Sequence, residues 1–174
     1  RILEAEKAAS ILGASLEFLK LDGDAHLEVR AAHALRMAAI LRRLRPAMVL
    51  APSLVEHQHP DHPRLGQLVR DAVRLARYGG VAELQDQLPH TVDHLLYYAV
   101  TPEAEPTDMM RIVIDISAPE VIATWTAAME AHASQMPTRK YVELQLRRAR
   151  LLGLRVGAEY AVPLFTENSM VFTS

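Results

Sequence analysis

Three imidazoles and two carboxylates fall within eight residues, Glu56-His57-Gln58-His59-Pro60-Asp61-His62-Pro63. Neutral imidazole is the commonest protein metal ligand and also carries protons near pH 7, so metal binding and proton transfer are both open to this stretch. His59, Asp61 and His62 do not by themselves complete a catalytic zinc site, which takes three protein ligands and leaves a further position open. The plain alternative is a solvated, turn-forming loop that happens to be rich in histidine. A second acidic pair, Asp22-Gly23-Asp24, reads as a turn, and two carboxylates on a turn are ordinarily solvated turn formers.

The elements around the histidine stretch give it a position. Met48-Val49-Leu50-Ala51 is short, apolar and closed by Pro52, which predicts a buried strand. A polar cluster at the end of such a strand is where an α/β protein carries its chemistry. Pro60 and Pro63 keep the cluster out of a helix interior, which places the histidines on a loop that ends at the next helix. That helix is expected over Leu65 to Tyr78, closed by Gly79-Gly80.

Upstream, apolar positions from Ile2 to Leu12 recur at helical spacing and Gly13 supplies the stop. Leu16 to Leu19 alternates as a strand would. Leu27 to Arg45 is an amphipathic helix, with Arg42, Arg43 and Arg45 in its last turn, where cations suit the helix dipole better than they make an anion site. Downstream, Leu95 to Val100 and Met110 to Ile116 read as strands, with one of Tyr97 and Tyr98 facing the core. Helices are expected from Pro119 to about Ser134 and from Lys140 to Leu152, and a short strand around Val171-Phe172. Helices alternating with short apolar strands predict an α/β fold, three-layered and Rossmann-like, with a mostly parallel sheet flanked by helices.

Composition narrows the function. The chain has 174 residues, half of them apolar, enough for one domain with a substantial core. It has no cysteine, so thiolate zinc sites and cysteine nucleophiles are excluded, and any metal must be held by histidine and carboxylate. A formal charge of −2 with mixed signs gives no footprint for nucleic acid or an anionic membrane. No apolar run is long enough to span a bilayer and no signal peptide is visible, which places the expected location in the cytoplasm.

Together the motifs resemble a known family. Arg45-Pro46-Ala47-Met48-Val49-Leu50-Ala51-Pro52 followed by His59-Pro60-Asp61-His62 resembles the second signature of the PIG-L/LmbE-like zinc-dependent N-acetylglucosaminyl deacetylases. The opening Arg1, Glu4-Ala5, Ala8-Ala9 and Leu12-Gly13 resemble that family's helix after its second strand. Asp115-Ile116-Ser117 and Ser134-Gln135 resemble its bacillithiol-biosynthesis branch, although Tyr160-Ala161-Val162-Pro163 departs from the Tyr-Ala-Glu of that branch.

The resemblance implies that His62 is a metal ligand, that His59 stabilises the oxyanion, and that Asp61 orients that pair. It implies substrate contacts from Arg1 and Asp24, with Asp22 the alternative to Asp24. It implies Zn2+, or another divalent metal such as Fe2+, a small N-acetyl amino sugar as substrate, and a homo-oligomer. The family's first signature, a His-Pro-Asp-Asp-type loop supplying the other ligands and the general base, is not found in residues 1–174. The expectation is therefore a single deacetylase domain lacking its amino-terminal strand and first metal-binding loop.

The function expected is removal of an N-acetyl group from an N-acetylglucosamine-type sugar or its conjugate by attack of a zinc-bound water. The competing expectation is a non-catalytic carbohydrate-binding or assembly protein that keeps the fold with an incomplete metal site. For other residues the plain reading is preferred: His57 exposed on its loop, His90 and His94 outside the cleft, His26, His33 and His132 at the surface or satisfied in part-buried positions, and Trp125 in packing.

Overall fold

The computed structural model describes residues 1–55, 58–135 and 140–168. Glu56, His57 and the expected strand at Val171-Phe172 lie outside the described residues. The elements run α1 (Ile2–Ile11), α2 (Ala31–Leu44), β1 (Met48–Pro52), α3 (Asp61–Arg77), β2 (His94–Tyr98), β3 (Met110–Asp115), α4 (Pro119–Glu130), α5 (Tyr141–Val156) and β4 (Ala161–Thr166), with short 3-10 turns between some of them. The four strands are ordered β1-β2-β4-β3 in one sheet, giving the expected α/β class. β1 and β2 are parallel, whereas β2 and β4 pair antiparallel, so the sheet is mixed.

The chain divides into two compact units. One comprises Arg1–Leu19 and Val113–Val162; the other comprises Lys20–Ile112 with the described residues from Pro163 on. In the first, α4 packs on α1 and on α5. Glu4 of α1 accepts hydrogen bonds from the Ser134 amide at 2.7 Å and hydroxyl at 2.6 Å, and those two donors hold its carboxyl below the usual carboxylate range. Ser117 donates its amide to Asp115 Oδ1 at 2.8 Å, and its Oγ accepts the amides of Glu159 and Tyr160 at 3.0 Å each. The Asp115-Ile116-Ser117 and Ser134 positions thus knit this unit together.

The second unit holds the histidine stretch. Ala51, Tyr97 and Phe165 form its buried centre, with Leu54, Val69, Leu95, Ala99 and Met109 packed around them. Ala51 pairs with Tyr97 in the parallel register, and Tyr97 pairs with Phe165 on its other side. Of the two adjacent tyrosines, Tyr97 is fully buried and Tyr98 is 39% exposed, as a period of two requires. Burial pushes the Tyr97 phenol up to about 12.

α3 packs on β1 and on α2, presenting the buried residues Gly66, Leu68, Ala72 and Ala76. Gly66 sets how closely the helix approaches the strand, because a β-carbon there would lie 2.4 Å from the Pro52 carbonyl oxygen and 3.0 Å from Leu54 Cδ2. Gly66→Ala is therefore expected to destabilise the protein by about 1 to 3 kcal/mol, the usual cost of overpacking. Urea unfolding checks this; an unchanged midpoint would show that α3 can slide away from β1 freely.

Three expectations are corrected. Leu16 to Leu19 forms no strand: Leu16 and Phe18 are 44% and 47% exposed, and the segment has no ladder partner among the described residues. α2 begins at Ala31 rather than Leu27, because the amides of Leu27 and Glu28 are taken by the carboxylates of Asp61 and Asp22 and the backbone stays extended to Arg30. α3 begins at Asp61 rather than Leu65. Pro63 sits in its first turn, where the missing amide proton costs no intrahelical hydrogen bond, so His62 is helical rather than on the loop.

Candidate active site

The site is built where β1 hands over to α3. The Ser53 amide donates to the Tyr98 carbonyl at 2.8 Å, tying the strand's exit to β2, and Ser53 Oγ accepts the Val55 amide at 3.1 Å. At the far side of the loop the His62 amide donates to the His59 carbonyl at 3.2 Å as α3 begins. The ring centroids of His59 and His62 lie 5.3 Å apart. Asp61 stands in the first helical turn, where a carboxylate suits the helix dipole.

Asp61 acts on both sides of itself. Its amide donates to His59 Nδ1 at 3.3 Å, which assigns the ring proton of neutral His59 to Nε2. His59 Nε2 in turn faces Asp24 Oδ1 at 3.3 Å. The Asp61 carboxylate reaches across to the turn that carries Asp24, accepting the amides of Ala25 at 2.7 Å and Leu27 at 3.2 Å. Arg64 Nη1 lies 3.6 Å from the same carboxylate. So Asp61 meets His59 through its backbone, and the carboxylate closest to the ring is that of Asp24.

Donor atoms of Asp24, His59 and Asp61 all lie within 4.8 Å of one another. Histidine nitrogen and carboxylate oxygen are the right donor types for zinc or another divalent ion. The Asp61 oxygens, however, already accept two amides, which suits an orienting group better than a ligand. The Asp24 side chain is 72% exposed and that of Asp61 only 17%, so the first can meet a solute and the second cannot readily do so.

Asp22 has a different set of partners from Asp24. It accepts the Glu28 amide at 2.9 Å, and it lies 3.4 Å from His33 Nδ1 and 3.5 Å from Arg30 Nη2. The Arg30 guanidinium, bonded to Glu28 at 2.9 Å, holds the Glu28 carboxyl below its ordinary range. Arg1 belongs to the other unit, exposed at the start of α1. The structure thus brings together Asp24, His59, Asp61 and His62.

The remaining histidines separate by position. His90 Nε2 donates to the Pro46 carbonyl at 2.8 Å, and His94 opens β2 opposite Met48, at the far end of the parallel pair from the histidine loop. His33 is buried on α2 with Nδ1 3.2 Å from the Glu28 carbonyl oxygen, the satisfied position that is one of its two expected readings. No residue type predicts that Asp61 would clamp a turn 34 to 36 positions earlier in the chain; only the folded geometry reveals it.

The family described as GlcNAc-PI de-N-acetylase (PIG-L) matches residues 1–73, a span that includes Asp24, His59, Asp61 and His62. A solved structure of a conserved protein from Thermus thermophilus is 30% identical, with a TM-score of 0.84 over 98% of this chain and 74% of that one. The chain belongs to the PIG-L family. The N,N'-diacetylchitobiose deacetylase of Pyrococcus horikoshii shares the PIG-L fold at 22% identity, with a TM-score of 0.75 over 92% of this chain and 60% of its own. A further relative of this PIG-L chain is the 4-oxalmesaconate hydratase of Pseudomonas putida, 38% identical over 77 residues. That match covers 44% of this chain and 30% of the hydratase.

Proposed function

We propose that this PIG-L domain forms part of a metal-dependent hydrolase that removes the acetyl group from an N-acetylglucosamine-type sugar or conjugate. The observation that carries the reading is the contact of His59 with Asp24 beside His62, at the exit of β1 and the start of α3. His62 would hold the ion, zinc by the donor types. A catalytic zinc site takes three protein ligands, so His62 would share the ion with other His or carboxylate donors. The chemistry such an ion supplies when bound is Lewis acidity toward the acyl carbonyl and the attacking water.

The chain's own groups have distinct tasks. His59 donates from Nε2 toward the carbonyl oxygen as it gains charge, and the Asp24 carboxylate, 3.3 Å from that nitrogen, orients the ring. Asp24, being exposed, also accepts from a sugar hydroxyl. The test is acetate release from N-acetylglucosamine and its conjugates by the full-length protein, with and without a chelator. No release from any of them, in the metal-loaded protein, would defeat the reading.

Asp24 also gives a sharper check. Asp24→Ala is expected to lower kcat/KM by roughly tenfold to a hundredfold, the scale of a lost positioning contact, while metal stoichiometry is retained. Loss of metal in that variant would make Asp24 a ligand instead.

A second reading is hydration of a carbon–carbon double bond, favoured by the 38% identity over 77 residues with the Pseudomonas hydratase. Both reactions begin with attack of water on an electrophilic sp2 carbon; in the deacetylation the C–N bond then breaks and the amine leaves, whereas in the hydration the proton is added to the neighbouring carbon. Loss of ultraviolet absorbance from 4-oxalmesaconate, without acetate release from any acetylated sugar, would select it.

No helix among the described residues is long and apolar enough to cross a membrane. Cytoplasmic location and assembly into a homo-oligomer are part of the proposal.

A further inference from the structure

We propose that Asp22 and His33 are positioning residues that hold Asp24 against His59, a role that rests on reading this cluster as the active site. Asp24 sits at the tip of a turn whose conformation is not one its residues adopt unaided. Gly23 has φ +98° and Ala25 has φ +63°, so left-handed backbone stands on both sides of Asp24. Glycine tolerates that region; alanine, with its β-carbon, rarely occupies it without outside contacts. Two sets of contacts supply the constraint.

At the tip, Asp61 accepts the amides of Ala25 and Leu27, as described above. At the neck, Asp22 accepts the amide of Glu28, so that one side chain closes the turn between its first and last residues. His33 locks this closure. Its Nδ1 lies 3.2 Å from the Glu28 carbonyl oxygen and 3.4 Å from Asp22 Oδ2, so one ring N–H serves both ends of the neck. The His33 side chain is 10% exposed and that of Asp22 15%, so neither is placed to meet a sugar. His33 stands near the start of α2, and α2 packs on α3, the helix that carries Asp61 and His62.

The turn is thus referenced to two helices that are themselves packed together. The distance from Asp24 to His59 follows from both. Removing the tip contact would take away Asp61, which also meets His59; removing the neck contact alters only where the turn sits. Asp22 and His33 therefore separate placement of Asp24 from the chemistry of the cluster.

The test uses the full-length protein carrying Asp22→Ala, His33→Leu or His33→Asn, with two readouts. The first is amide hydrogen exchange at Ala25 and Leu27, whose acceptor Asp61 is untouched. Protection there should fall in Asp22→Ala and His33→Leu while the amides of Leu68 and Ala72 in α3 stay protected. His33→Asn, which offers an N–H donor close to the Nδ1 position, should restore it. The second is kcat/KM, which should fall about tenfold in Asp22→Ala but no further when Asp22→Ala is added to Asp24→Ala.

Unchanged protection at Ala25 and Leu27, an equal loss in α3, or independent multiplication of the Asp22 and Asp24 effects would each overturn the proposal. If the wild-type protein proves silent toward acetylated sugars and toward the unsaturated acid, the proposed function fails, and the exchange data alone still decide whether Asp22 and His33 hold the turn.

Discussion

His59→Ala is expected to keep close to full metal content and to lose on the order of a hundredfold or more in turnover, the scale of removing one oxyanion donor. His62→Ala should do the reverse at the metal and lose both binding and activity. The two rings are close enough to be confused, with centroids 5.3 Å apart, yet their surroundings differ. His59 is committed at both nitrogens: Nδ1 accepts the Asp61 amide and Nε2 faces Asp24. A ring so held has one N–H to offer, and it points at an exposed carboxylate beside which an acyl oxygen can lie. His62 starts the helix three residues on, and a ligand has to release any proton from the nitrogen that binds the ion. Metal stoichiometry and single-turnover rates in the two variants decide the matter. If His59→Ala empties the site while His62→Ala retains metal, the two roles are exchanged, and the Asp24–His59–Asp61 cluster becomes the binding site itself.

How much of this was legible in the sequence depends on whether the signal is local. β1 is a short apolar run closed by a proline, and α3 is an amphipathic helix, so the cluster's position between them follows from residues 48 to 77 alone. The alternation of Tyr97 and Tyr98 is local in the same way. The limits appear where a distant partner decides. Leu16 to Leu19 has a strand's pattern but no neighbour to pair with among the described residues, and a strand without a ladder is not one. β4 carries Pro163, which donates nothing to a ladder, and that concealed a strand whose Phe165 lies in the core.

The site divides along the same line. The types and spacing of His59, Asp61 and His62 announce chemistry, and the turn at Asp22-Gly23-Asp24 announces two exposed carboxylates. That Asp24 faces the histidine while Asp22 turns inward to Glu28 and His33 is set by contacts spanning six to eleven residues and by Asp61, far along the chain. Residue pattern gives no means of choosing between them. Carboxylates on a turn look alike until something else in the fold claims one.

The end of α3 opposite the site carries the second large effect. Arg42→Ala is expected to destabilise the protein by about 3 to 5 kcal/mol, because five hydrogen bonds from one buried charged donor are lost together and the carbonyls of Gln87 and Tyr78 lose the guanidinium that they accept from. In the sequence Arg42 belongs to a basic last turn of α2, suited to that helix's own dipole. In the structure it serves its neighbour. Its side chain is 3% exposed, and its guanidinium donates to the carbonyls of Ala76 at 3.0 Å, Leu84 at 2.6 Å, Gln87 at 2.9 Å, Leu75 at 3.4 Å and Tyr78 at 2.5 Å. Three of these carbonyls lie at the end of α3, where the dipole is negative; that of Leu75 also accepts the Tyr78 amide and that of Ala76 the His90 amide. A guanidinium has five N–H donors in one plane, and all of them are used. Arg42→Lys should recover little, since an ammonium offers three donors at a single point and cannot span the α3 end and the turn after it. For a chain of this size the loss corresponds to a fall in Tm of roughly 6 to 20 °C. Calorimetry on both variants measures it, and a change under about 1 kcal/mol in Arg42→Ala would mean that water replaces the guanidinium at little cost. Because the clamp lies at the far end of α3 from His59 and His62, metal stoichiometry and turnover measured well below the new Tm should stay near wild type, separating what holds the helix from what the helix holds.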